Sequence, residues 1–100
     1  QQLTYRNEEL IMAHYVLIGE SKFCNEPDIE FNSKVDFDII DARAKAVNIL
    51  SSPKNKDRFW AVSIFKNDRF VGAVDRTDKI YRYTSKGKSV RLYKDGTVRV

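Results

Sequence analysis

Apolar and polar positions along this chain follow three successive rhythms, and each predicts a different kind of element. His14–Gly19 (HYVLIG) is almost unbroken in its apolar character, which predicts a centrally placed strand. Lys22–Pro27 reads as a loop, and Asp28–Asn32 (DIEFN) alternates like a short, half-exposed strand. Ahead of these, Asn7–Met12 reads as a helical turn capped by Asn7. The period then lengthens. Phe37, Ile40, Ala44, Val47 and Leu50 recur at three- and four-residue steps, placing them on one face of a helix. Asp36, Asp38 and Asp41 crowd its first turns, where the helix dipole favours negative charge. Asp41 and Lys45 form an i,i+4 pair in the favourable order, and Ser51, Ser52 and Pro53 end the helix.

Beyond the loop PKNKD the period shortens again. Phe59–Phe65 (FWAVSIF) and Phe70–Val74 (FVGAV) flank a KNDR turn whose Asn67–Asp68 centre suits a two-residue hairpin. That loop predicts Phe65 opposite Phe70 and Ile64 opposite Val71. Both faces of the hairpin are largely apolar, so it belongs in the middle of a sheet. Trp60 alternates with Val62 and Ile64 and is expected in the core.

The final stretch, KIYRYTSKGKSVRLYKDGTVRV, carries register information. A two-residue loop at Asp95–Gly96 would mix apolar and charged residues on each face. A three-residue loop, Lys94–Gly96 with the glycine left-handed, sets Leu92 against Val98, Val90 against Val100 and Arg91 against Arg99. Each face is then uniform, which selects the longer loop. At SKGK, a two- or four-residue loop pairs Tyr83 with Val90, Arg82 with Arg91 and Tyr81 with Leu92. A three-residue loop would instead put Arg82 opposite Val90 on the apolar face, where an unpaired charge is costly. The first register is preferred.

These elements sum to a single α+β domain over residues 1–100. The expected architecture is one antiparallel sheet of five or six strands with one long helix packed on one face, order β(β)αββββ. The helix stripe is expected to meet Tyr81, Tyr83, Val90, Leu92, Val98 and Val100. This order is neither that of the RNA-recognition sheet domain nor that of the double-stranded-RNA domain.

Composition agrees with a folded domain, at 42% hydrophobic and 32% charged residues. The apolar stretch Tyr15–Ile18 is far too short to span a membrane. The segment QQLTYRNEELIMAHY lacks the pattern of a signal peptide. Residues 1–12 are read as a flexible or appended segment, with Met12 as a candidate start. Cys24 is the lone cysteine, so an internal disulfide is excluded and a cytoplasmic setting is expected. Its neighbours Glu26, Asp28 and Glu30 argue for an inert, half-buried thiol.

Charge adds more. The net +4 conceals five basic residues against nine acidic in 1–51, and thirteen against five in 52–100. Such asymmetry predicts one side that meets an anionic partner, although solvated cations on a sheet need none. The preferred register gathers Arg82, Arg91 and Arg99 across three adjacent strands, with Tyr93 on the same face. Guanidinium groups suit phosphates and carboxylates, and a tyrosine ring can stack a base. The plainer reading is that these arginines keep an open sheet face soluble. Lys86 and Lys88 flank Gly87 at a basic hairpin tip that could touch a phosphate backbone or simply be solvated.

Other chemistry is sparse. Glu26, Asp28 and Glu30 alternate without the spacing of a calcium loop and read as a solvated acidic edge. His14 is the sole histidine and is read as a strand-start residue. There is no phosphate-binding glycine loop. No catalytic set, metal or cofactor is predicted. The leading expectation is a non-enzymatic binding module whose basic sheet face contacts nucleic-acid backbone through Arg82, Arg91, Arg99, Tyr93, Lys86 and Lys88. A protein-interaction domain with an acidic partner and a metal-independent ribonuclease are the alternatives. No membrane partner is expected, and the oligomeric state stays open.

Overall fold

Hairpin turns of one type organise more than half of the sheet. The computed structural model describes residues 14–32, 38–55 and 57–100. The Asn7–Met12 turn, the 1–12 segment, Asp36 and Phe37 therefore lie outside the described residues. Strands β3 (Phe59–Lys66), β4 (Arg69–Thr77), β5 (Ile80–Ser85) and β6 (Lys88–Leu92) follow one another as a meander. Their connections are Asn67–Asp68, Asp78–Lys79 and Lys86–Gly87, all at positive φ between 50° and 79°. Two left-handed residues give a turn whose twist matches that of the strands it joins. Asn, Asp and Gly accept that conformation most readily, and Lys79 and Lys86 are carried along.

Before the meander come β1 (Tyr15–Ser21), β2 (Ile29–Asn32) and the helix α1 (Ile39–Ser51). β1 enters the sheet beside β3 and carries β2 on its outer side, giving the antiparallel order β2-β1-β3-β4-β5-β6. Among the described residues the fold is α+β, with six strands and one helix on one face, in the chain order ββαββββ. The apolar β1 and the hairpin β3–β4 occupy interior positions, as their sequences predict.

A capping box starts α1: the Asp38 carboxylate accepts from Asp41 N–H at 2.8 Å, and Asp41 accepts in return from Asp38 N–H at 3.3 Å. Extended backbone at Ser52, followed by a short 3₁₀ turn over Pro53–Asn55, ends it. The buried helix residues are Ala42, Ala46, Val47, Ile49 and Leu50, with Ile39 partly buried against the core. The face is thus rotated from the expected stripe. Ile40 is 39% exposed, and Ala44 packs beside the C-terminal turn rather than the sheet. The two fully buried alanines let the backbone approach the bulky tyrosines below, which explains the rotation.

Under α1 lie Tyr15, Leu17, Val62, Ile64, Val74, Tyr81, Tyr83 and Leu92. Burial, and next the negative charge of Asp38, push the Tyr15 phenol above its ordinary pKa. Two rings sit over glycines on neighbouring strands: Phe59 over Gly19 and Tyr83 over Gly72, each where a Cβ would collide at 2.9 Å or less. Of the residues expected beneath the helix, Val90, Val98 and Val100 are exposed. The helix backbone lies closest to β1, β3 and β4, so the β6 edge extends past its cover.

Two bulges change the expected register. Ser21 pairs with Phe59 while Glu20 pairs with Ala61, so Trp60 is an extra residue. Phe59 takes the core position over Gly19, and Trp60, expected in the core, is 58% exposed. On the other side of β3, Phe65 faces Phe70 as predicted, but Ile64 faces Gly72 and not Val71. The carbonyl freed at Val71 accepts hydrogen bonds from Tyr83 Oη at 3.1 Å and Ser85 Oγ at 2.7 Å. Bulging therefore leaves no orphan acceptor there.

Candidate anion-binding face

Three turns fix the position of every arginine on the sheet face opposite α1. The two-residue Asp78–Lys79 turn sets Asp75 opposite Arg82, and the two-residue Lys86–Gly87 turn sets Arg82 opposite Arg91. After β6 the chain turns through Lys94–Gly96, with Gly96 at φ 88°. Tyr93 N–H donates to the Thr97 carbonyl and Arg99 N–H to the Arg91 carbonyl, both at 2.8 Å, while Leu92 bridges Val98. This is the three-residue loop, and it puts Arg99 beside Arg91. The Asp95 carboxylate secures the turn by accepting from Thr97 N–H at 3.0 Å and Thr97 Oγ1 at 2.6 Å; these bonds lower its pKa.

The turn is also anchored to the helix. Arg43 Nε donates to the Gly96 carbonyl at 2.9 Å, and its guanidinium lies 5.2 Å from the centre of the Tyr83 ring. Gly96 itself is buried against α1, where a Cβ would fall on the Ile40 carbonyl and 2.7 Å from Ala44 N. The third arginine of the row is thus held in register by a clamp on the opposite side of the sheet.

Arg82, Arg91 and Arg99 consequently stand side by side, neighbouring strands being about 4.8 Å apart. Arg82 is partly buried, whereas Arg91 and Arg99 are exposed. Among the described residues the ion pairs are Lys22–Asp57 at 3.8 Å and Arg58–Glu26 at 4.0 Å, and neither touches this row. Asp75 is the cross-strand neighbour of Arg82 but forms no ion pair with it. The Arg99 guanidinium lies 5.5 Å from the centre of the Tyr93 ring, which is 48% exposed. Four of the six predicted site residues are therefore brought together.

The other two are not. Lys88 pairs with Ser85, in phase with Tyr83 and Val90, so it belongs to the helix side of β6. Lys86 lies in the turn and borders a hollow with Tyr15, Ile39 and Lys66 on that same side.

Elsewhere, His14 is exposed, and its backbone joins Asn67 through two hydrogen bonds that close the end of the sheet. Cys24 is exposed, not half-buried, because the Lys22–Pro27 loop lies outside the core. The acidic residues disperse: Glu26 approaches Arg58, Asp28 accepts from Ser21 N–H, and Glu30 is on β2. Among the described residues no cluster of metal-ligating groups occurs, and no helix is long and apolar enough to cross a membrane.

The feature that sequence reasoning missed is Trp60. It lines a hollow of about 570 Å³ at the strand ends, which reaches from Asp75 on the open face past Lys22, Asp57 and the Asp78–Lys79 turn to Leu50 of the helix. Only the bulge opposite Ser21 releases it from the core, and nothing in FWAVSIF announces a bulge. Compared with known protein families, curated proteins and solved structures, the chain matches none of them.

Proposed function

We propose that this domain is a small non-enzymatic binding module whose open sheet face holds nucleic-acid backbone through Arg82, Arg91 and Arg99. The arginine row carries the reading. Like charges directly opposite one another cost a sheet a few tenths to about 1 kcal/mol per pair. This sheet bears two such contacts in succession, and no ion pair within the described residues relieves them. An anion laid across the row would turn that repulsion into shared attraction, with forked donors suited to phosphate oxygens. Tyr93, on the same face, offers a ring for stacking.

Titration with mixed single- and double-stranded nucleic acid at two salt concentrations tests the reading. Arg91→Glu is expected to weaken binding more than Arg82→Glu, because Arg91 has an arginine on either side while Arg82 has Asp75 as one neighbour. Arg91→Ala is expected to reduce the salt slope by about one, reflecting one lost phosphate contact. Lys88→Ala, on the other face, serves as the comparison and should change less. Absence of binding by the wild type at low salt would refute the proposal. Binding of an acidic protein instead, with effects concentrated in association rate, would move the face to the protein-interaction alternative.

A further inference from the structure

Resting on that reading of the arginine face, we infer that its ligand is single-stranded and that Trp60 receives an unpaired base in the hollow at the end of the sheet. The two features adjoin. Asp75 lines the hollow and is also the sheet neighbour of Arg82. From Ala61, next to Trp60, the cross-strand row runs through Asp75, Arg82 and Arg91 to Arg99. That row crosses four strand spacings, on the order of 19 Å. An exposed aromatic side chain stands near each end, Trp60 at one and Tyr93 at the other.

The hollow does not suit phosphate. Its three cations, Lys22, Arg76 and Lys79, are matched by three carboxylates, Asp57, Asp75 and Asp78; Lys22 is paired with Asp57 at 3.8 Å, and the Arg76 guanidinium rests 5.7 Å from the centre of the Tyr81 ring. Asp57 and Asp75 would repel a backbone anion. Beside these balanced charges the hollow offers the indole face, with carboxylates able to accept hydrogen bonds from base amino groups. A duplex cannot use such a site without unstacking, because its base faces cover one another. A single strand presents bare π faces and could stack on Trp60 while its phosphates follow the arginines. Stacking of this kind tolerates sequence, so the preference would be for strandedness.

Trp60 is the sole tryptophan of the chain, so its fluorescence reports this contact and no other. Fluorescein-labelled single strands of mixed sequence and the matching duplex are titrated by anisotropy while Trp60 emission is followed with unlabelled strands. Single strands are expected to bind more tightly than duplex, to quench Trp60 and to protect it from acrylamide. Trp60→Ala should weaken single-strand binding by roughly fivefold or more, and Trp60→Phe should restore most of it. Circular dichroism and melting confirm that each variant folds, and the wild-type quench needs no variant. Anisotropy showing binding with unchanged Trp60 emission and an unaffected Trp60→Ala would overturn the inference while leaving the arginine face intact. Equal affinity for duplex would do the same. Absence of binding by either form would bring down the arginine-face reading itself, as would tighter binding of polyglutamate.

Discussion

Gly96 is a residue whose role could be half read from its neighbours in the chain. The alternation on either side of KDG requires a left-handed residue, and a glycine accepts φ near 88° without strain. No neighbour in the chain signals that the same residue also touches α1. The two demands can be separated. Gly87 has positive φ and open space around it, so Gly87→Ala should cost about 1 kcal/mol from conformation alone. Gly96→Ala meets the same penalty plus a collision with helix backbone, and should cost clearly more in chemical denaturation. Equal losses would mean that the turn is not docked on α1. Arg43→Ala offers a second probe, because it removes the hydrogen bond to the Gly96 carbonyl without touching the turn.

At the scale of elements, α1 and the meander were legible and their rotations and bulges were not. Helical period alone cannot separate Ile40 from Ile39, since both lie within a broad apolar arc. The choice is made by what the arc meets: alanines face the tyrosine-rich sheet, and Ala44 faces the C-terminal turn. Val47→Ala should therefore cost roughly 1–3 kcal/mol, as a large-to-small change at a residue 2% exposed. Ile40→Ala, at 39% exposure, should cost less. A larger loss at Ile40, measured by denaturant midpoint, would restore the stripe that the spacing predicts. Turn chemistry and face uniformity sufficed for the β5–β6 register because each wrong loop length buries a charge. They failed for β3 because both its faces are apolar, so a one-residue slip mixes nothing. Trp60 was lost from the candidate site for that reason: the ring of Phe59 over Gly19, a packing detail between distant segments, decides which aromatic is buried.

Across the whole molecule, the division of charge along the chain becomes a division of the open face. Glu20 and Glu30 lie on the β1–β2 side, and Glu20 is tied to Ser63 by a 2.7 Å hydrogen bond. The arginine row lies on the β5–β6 side, so an anion meets a face with a direction. The strand order also has a kinetic consequence. β3 to β6 close through adjacent two-residue loops, whereas β1 must reach β3 from beyond β2 and the helix, pairing Leu17 with Ile64. Loop-closure entropy favours a nucleus among the local hairpins, with β1 docking after the barrier. In stopped-flow chevrons, Val74→Ala should act mainly on the folding arm and Leu17→Ala mainly on the unfolding arm. A Leu17→Ala that chiefly slows folding would place the long-range pairing in the transition state. With β1 arriving late, the early species is a four-stranded meander whose β3 edge is still unpaired and rich in apolar residues. During that interval the chain would be most prone to pair with another copy of itself.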